Sequence, residues 1–102
     1  MQTITVEELK QRLDAGEQLN LIDVREPFEN AEFNIGGKLL PLGKIKNMEI
    51  DELESLKQKE VIIYCRSGNR SGQACLLLEP MGFTNVKNLV GGMLDWKEKF
   101  DA

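Results

Sequence analysis

A chain of 102 residues, 41% of them hydrophobic, can hold one domain with a modest core, and residues 1–102 read as a single domain. A net charge of −4 argues against a general nucleic-acid or anionic-membrane surface. Two cysteines with no histidine exclude the usual zinc-ligand spacings, and they exclude a Cys-His protease because the base is missing.

The N-terminus opens on polar residues and a helical pattern, so no secretory signal is visible. No apolar run approaches the roughly twenty residues of a membrane-spanning helix. Thr5-Val6-Glu7-Glu8 fits a capping box, with a Thr N-cap and Glu three residues on. Val6, Leu9 and Leu13 then share one helical face, and Gly16 closes the helix. Residues 18–24 form the first clear strand. Pro27 suits the first turn of a short helix over residues 28–33. The Gly36-Gly37 pair permits a sharp turn, and residues 38–42 read as a short strand ended by Pro41. Residues 43–47 read as loop. Ile50, Leu53 and Leu56 recur at helical spacing through an acidic segment, which predicts a helix on the face of the sheet. Residues 57–60 turn into the next strand.

Residues 61–64 are apolar and β-branched, the pattern of a buried strand. The run stops at Cys65. A polar loop follows with Arg66, Ser67, Gly68, Asn69, Arg70 and Ser71, and residues 73–79 read as a helix. Strand, tight loop and helix in that order put the loop at the carboxyl end of a sheet, where open α/β sheets bind ligands. Loop N–H groups and the helix N-terminus converge there into an anion site. The same field favours thiolate over thiol at Cys65. Arg66 and Arg70 make a local basic spot in an acidic chain. Ala74, Leu77 and Leu78 form the buried stripe of the helix, and Pro80 kinks or ends it. Cys75 lies on this helix; it is either a resolving partner for an oxidised Cys65 or, more commonly for such a residue, a half-buried core cysteine. The last strand lies within residues 83–89, centred on Val86. Gly91-Gly92 permits a tight turn, and residues 93–100 form a closing helix with Trp96 in the core. Strands alternating with helices imply an α/β fold: a mostly parallel central sheet with helices on both faces.

Cys65-Arg66-Ser67-Gly68-Asn69-Arg70-Ser71 resembles the active-site loop of the rhodanese family, the thiosulfate-type sulfurtransferases. Leu21-Ile22-Asp23-Val24-Arg25-Glu26-Pro27 is similar to the family's first signature. Gly82-Phe83-Thr84-Asn85-Val86 and Leu89-Val90-Gly91-Gly92-Met93-Leu94-Asp95-Trp96 are similar to its last segments. Four pieces in the right order extend the resemblance over nearly the whole chain, and it implies the rhodanese fold. Asn34-Ile35-Gly36-Gly37-Lys38 departs from the family's His-Ile-Pro-Gly-Ala, which bears on local packing rather than on chemistry. Asp23 and Arg25 form a charged pair at a strand end; such a pair touches substrate or, more often, orders a loop, and the resemblance implies structural support from Asp23.

The resemblance implies that Cys65 is the catalytic nucleophile of a sulfurtransferase. It takes a sulfane sulfur from thiosulfate or a similar donor, carries it as a persulfide, and passes it to cyanide or a thiol. Residues 66–71 cradle the anion, and Arg66 or Arg70 holds the sulfonate. No cofactor is expected. The expected partners are a small anionic sulfur donor and a thiol or protein sulfur acceptor, with no nucleic acid and no membrane. A reactive free cysteine suits the cytoplasm. Two alternatives stay open. One is a cysteine-dependent phosphatase or arsenate reductase, although those of related fold place one residue more between the cysteine and the arginine than the four separating Cys65 from Arg70. The other is a sulfur-relay or interaction module.

Overall fold

The computed structural model describes residues 1–100. Five parallel strands form one sheet in the order β1-β5-β4-β2-β3: β1 is Gln2–Ile4, β2 Leu21–Asp23, β3 Lys38–Leu39, β4 Glu60–Tyr64 and β5 Asn85–Leu89. The helices are α1 (Val6–Asp14), α2 (Pro27–Glu32), α3 (Leu42–Lys46), α4 (Asn69–Leu78) and α5 (Gly92–Phe100), with 3-10 turns at Asp51–Leu56 and Glu79–Met81. This is the expected α/β architecture, with helices on both faces.

Side-chain alternation on the central strand divides the core. Val61, Ile63 and Cys65 point to the face covered by α3 and α4, where they meet Ile45, Ala74, Cys75 and Leu78. Ile62 and Tyr64 point the other way, onto Val6 and Leu9 of α1 and Met93 and Trp96 of α5. Val61, Ile62 and Ile63 are each fully buried, and each such side chain contributes about 1.5–3 kcal/mol relative to exposure. A strand buried on both faces reads as a continuous apolar run, which is why β4 is so plain in the sequence.

Several elements differ from the expectation. Gln2–Ile4, at an N-terminus expected to open on a helical pattern, is an edge strand: β1 pairs in parallel with Lys87, Asn88 and Leu89. Three residues are too few to show alternation, and partner pairing decides their state. The residues read as a loop at 43–47 form most of α3, with Pro41 as its N-cap and Leu42 and Ile45 buried. The acidic segment forms a 3-10 rather than an α-helix and still buries Leu53. The capping box on Thr5 forms as expected, Glu8 N donating to Thr5 Oγ1 at 3.1 Å and Thr5 N to Glu8 Oε1 at 3.0 Å. Helix α4 starts at Asn69, four residues before the expected 73, so half of the presumed loop is its first turn.

Connections leave β2 and β4 in opposite directions across the sheet, to β3 and to β5. The crevice beyond their carboxyl ends is a topological switch point. Asp23 ends β2 there, and Cys65 follows β4.

Candidate active site

Cys65 is 1% exposed, and hydrogen-bond donors close around its sulfur. Gly68 N donates to Sγ at 3.1 Å and Ser71 N at 3.3 Å, and the Ser71 hydroxyl lies 3.3 Å away. Gly68 makes this possible: it is the N-cap of α4 with φ 99°, a left-handed conformation that turns the chain back over the sulfur. Burial, the largest single influence, pushes the thiol up. Hydrogen bonding with the Ser71 side chain and from the N–H groups of Ser71, Gly68 and Ser67 together outweighs it, and Cys65 lies below the ordinary thiol value. Arg66, Ser67 and Asn69 are exposed around this cup.

The two loop arginines part company. Arg70 turns to α2, where Nη1 and Nη2 donate to Glu29 Oε1 and Oε2 at 2.7 and 2.9 Å. Arg66 stays exposed and lines a surface cleft of about 230 Å³ with Arg25, Phe28, Glu29 and Phe33 on one side and Met93, Leu94 and Lys97 on the other. Asp23 and Arg25 brace the crevice floor. Arg25 Nε and Nη2 each donate to Asp23 at 2.9 Å, and Asn30 Nδ2 donates to Asp23 Oδ2 at 2.9 Å. Arg25 Nη2 also donates to the Phe33 carbonyl at 2.6 Å. These bonds hold the middle and the C-cap of α2 against the end of β2. A buried pair satisfied this fully is costly to break, by about 3–5 kcal/mol when one partner is removed.

Cys75 belongs to the core on α4, fully buried rather than half-buried, and burial pushes its thiol up to about 12. Both cysteines are free.

Three positions that the sequence did not mark for the site complete it. Glu29, at the third position of α2, partners Arg70. Gly92 lets α5 approach the cysteine loop: Met93 N donates to Cys65 O at 3.0 Å and Leu94 N to Arg66 O at 2.9 Å. Asn88 on β5 is buried; its Nδ2 donates to Gly68 O at 3.1 Å, and its Oδ1 accepts from the Ser71 hydroxyl. Gly92 was read only as part of a tight turn, and Asn88 left a trace of its own in the sequence. It follows Val86 at strand alternation, so a polar residue occupies a position on the core face.

A family model, the rhodanese-like domain, matches residues 5–99. A sulfurtransferase of Allochromatium vinosum is 44% identical over 94 residues, covering 91% of this chain and 85% of that protein. YrkF of Bacillus subtilis, a protein named as a sulfur carrier, is 39% identical over 97 residues; the match covers 94% of this chain but only 51% of YrkF, so the chain spans about half that relative's length. Among solved structures, a rhodanese-like domain protein from Staphylococcus aureus superposes with a TM-score of 0.80 at 34% identity, covering 94% of this chain and 91% of that one. The family model spans nearly the whole chain, and the matches to these relatives each cover more than nine-tenths of it, so the chain belongs to the rhodanese-like domain family.

Proposed function

We propose that this chain is a sulfurtransferase that moves a sulfane sulfur from thiosulfate, or a similar donor, to cyanide or a thiol acceptor through a Cys65 persulfide. The observation that carries the reading is the convergence of Gly68 N, Ser71 N and the Ser71 hydroxyl on the single sulfur atom of Cys65. The name of the Allochromatium relative supports sulfur transfer, and that of YrkF supports a protein as acceptor or relay partner.

In the first displacement the Cys65 thiolate attacks the outer sulfur of thiosulfate. The S–S bond of the donor breaks, and sulfite leaves with the electron pair. The product is a Cys65 persulfide anion, stabilised by the same N–H donors as an oxyanion is stabilised in acyl transfer. Arg66, at the mouth of the cleft, meets the sulfonate. Arg70 shapes the loop from behind through Glu29, and Asp23 with Arg25 supports the crevice. In the second displacement a nucleophile takes the outer sulfur, and the Cys65 thiolate is the leaving group. Two half-reactions through a covalent intermediate give ping-pong kinetics. The free thiols are consistent with a cytoplasmic setting.

The test is intact mass spectrometry after incubation with thiosulfate, then after cyanide. One added sulfur atom on Cys65 that cyanide removes as thiocyanate is the expected result. With one residue fewer between cysteine and arginine than in related phosphatases, the cup should not admit a phosphoester. Faster turnover of p-nitrophenyl phosphate than of thiosulfate would overturn the reading.

A further inference from the structure

The side-chain amide of Asn88 has a fixed orientation. The Gly68 carbonyl can only accept, so the Asn88 group facing it at 3.1 Å is the NH2. The group facing Ser71 is then Oδ1, which can only accept. The Ser71 hydroxyl therefore spends its one proton on Asn88 and turns a lone pair to Cys65 Sγ, 3.3 Å away. A lone pair there suits a thiol, whose S–H can donate to it. It opposes a thiolate or a persulfide anion, which needs donors only.

We propose that Asn88 is a positioning residue of the nucleophile loop, holding the Ser71 hydroxyl proton while Cys65 is a thiol and yielding it to Sγ when the sulfur becomes an anion. The Cys65 proton leaves to solvent. The Ser71 proton stays bonded to its own oxygen and changes only its acceptor. Asn88 thus sets the cost of turning the hydroxyl towards the sulfur, and through it the reactivity of Cys65. Burial makes the choice sharp, since Ser71 is fully buried and Asn88 is 6% exposed, leaving little room for water to substitute. The charged groups around Cys65 come from the other elements: Arg66 on the loop, the Arg70–Glu29 pair joining α4 to α2, and the Asp23–Arg25 pair at the end of β2. From β5 the loop meets the neutral Asn88, so its effect is one of hydrogen bonding. This inference takes from the proposed function only that Cys65 is the nucleophile.

The experiment measures iodoacetamide alkylation of Cys65 against pH, by peptide mass spectrometry, in the full chain and in Asn88→Leu, Ser71→Ala and the double variant. Freeing the hydroxyl should move the Asn88→Leu profile to lower pH, with alkylation roughly threefold to tenfold faster on the rising limb, the range of one hydrogen bond. Ser71→Ala should move the profile to higher pH, and adding Asn88→Leu to it should change nothing further. An unshifted Asn88→Leu profile, or an equal shift with and without Ser71, overturns the proposal. A second measurement needs no variant at Asn88. The Asn88 side-chain amide resonances of the unaltered protein should titrate with the alkylation midpoint, and that titration should collapse in Ser71→Ala; flat resonances also overturn it. Neither readout needs a sulfur donor, so a failure of sulfur transfer is distinguishable from a failure of this proposal.

Discussion

Arg70 and Glu29 lock together in a bidentate pair across the gap between α4 and α2. An arginine held in this way has its fork facing a protein carboxylate rather than the cleft. Arg66 is the loop cation left open to a ligand.

The two arginines should therefore fail differently. Arg66→Ala should lower kcat/KM for thiosulfate by roughly threefold to tenfold, mainly through KM, because an exposed charge-assisted contact to the sulfonate is lost. Arg70→Ala and Glu29→Gln should both destabilise the fold and should couple by about 0.5–3 kcal/mol in a double-mutant cycle. Arg70→Lys keeps the charge but not the fork and should fall in between. Steady-state kinetics and urea unfolding of the wild type, the four single variants and the Arg70→Ala/Glu29→Gln double variant check this. Additive stability effects of Arg70→Ala and Glu29→Gln would show that the pair is not a working brace.

Cys65→Ser should abolish sulfur transfer in a folded protein, because no other loop side chain can carry a sulfane sulfur. Cys75→Ser should retain most of the activity: a thiol held near 12 by burial supplies no thiolate at neutral pH. Thiocyanate formation from thiosulfate and cyanide, with circular dichroism as the control for folding, separates the two. A tenth of wild-type turnover in Cys65→Ser would remove Cys65 from the mechanism.

Acid should unfold the protein through two carboxylates. Arg70, chiefly, holds Glu29 down to about 2, and Arg12, helped by Lys87, does the same for Glu60, against an ordinary value of 4.5. A depressed carboxylate stabilises the fold above its unfolded value and loses that contribution as pH falls towards its folded one. Stability from these pairs should be intact above about pH 4.5 and drain away between 4.5 and 2. Urea midpoints measured across that window check it, and Glu29→Gln should flatten the slope. A slope unchanged in Glu29→Gln would mean that other groups govern the acid limb.

Gly92→Ala should damage both stability and activity. Gly92 has φ 53°, and a Cβ there would sit 2.5 Å from the Cys65 carbonyl oxygen and 2.7 Å from the Arg66 carbonyl carbon. These are backbone atoms of the cysteine loop, with no flexible end to move aside. The cost should be at least about 2 kcal/mol, in the range of strained core substitutions. Thermal unfolding and thiosulfate turnover both read it, and wild-type values for both would contradict the close approach.

The parts legible in the sequence were those with local signatures. Buried β4 reads as an unbroken apolar run, α1 announces itself by its capping box, and Cys65 sits where a strand gives way to a glycine-containing loop. The parts that were not legible depend on contacts distant in the chain. β1 exists because β5 offers an edge to it. α3 exists because Leu42 and Ile45 find the core, although its five residues are too few to repeat the helical period. Glu29 carries no signal of its own in the sequence, and nothing short of the fold brings it to Arg70. Asn88 breaks the alternation of β5, but only Ser71 and the Gly68 carbonyl give that break a meaning.

The bonds from Met93 and Leu94 to the carbonyls of Cys65 and Arg66 bear on how the protein is made. On the ribosome Cys65 emerges well before the helix that seats its backbone. Until the segment from Gly92 onward docks, the Cys65 and Arg66 carbonyls lack those two donors and the loop has no fixed wall behind it. The backbone of the cysteine loop is thus completed only with the docking of α5, the last helix to emerge.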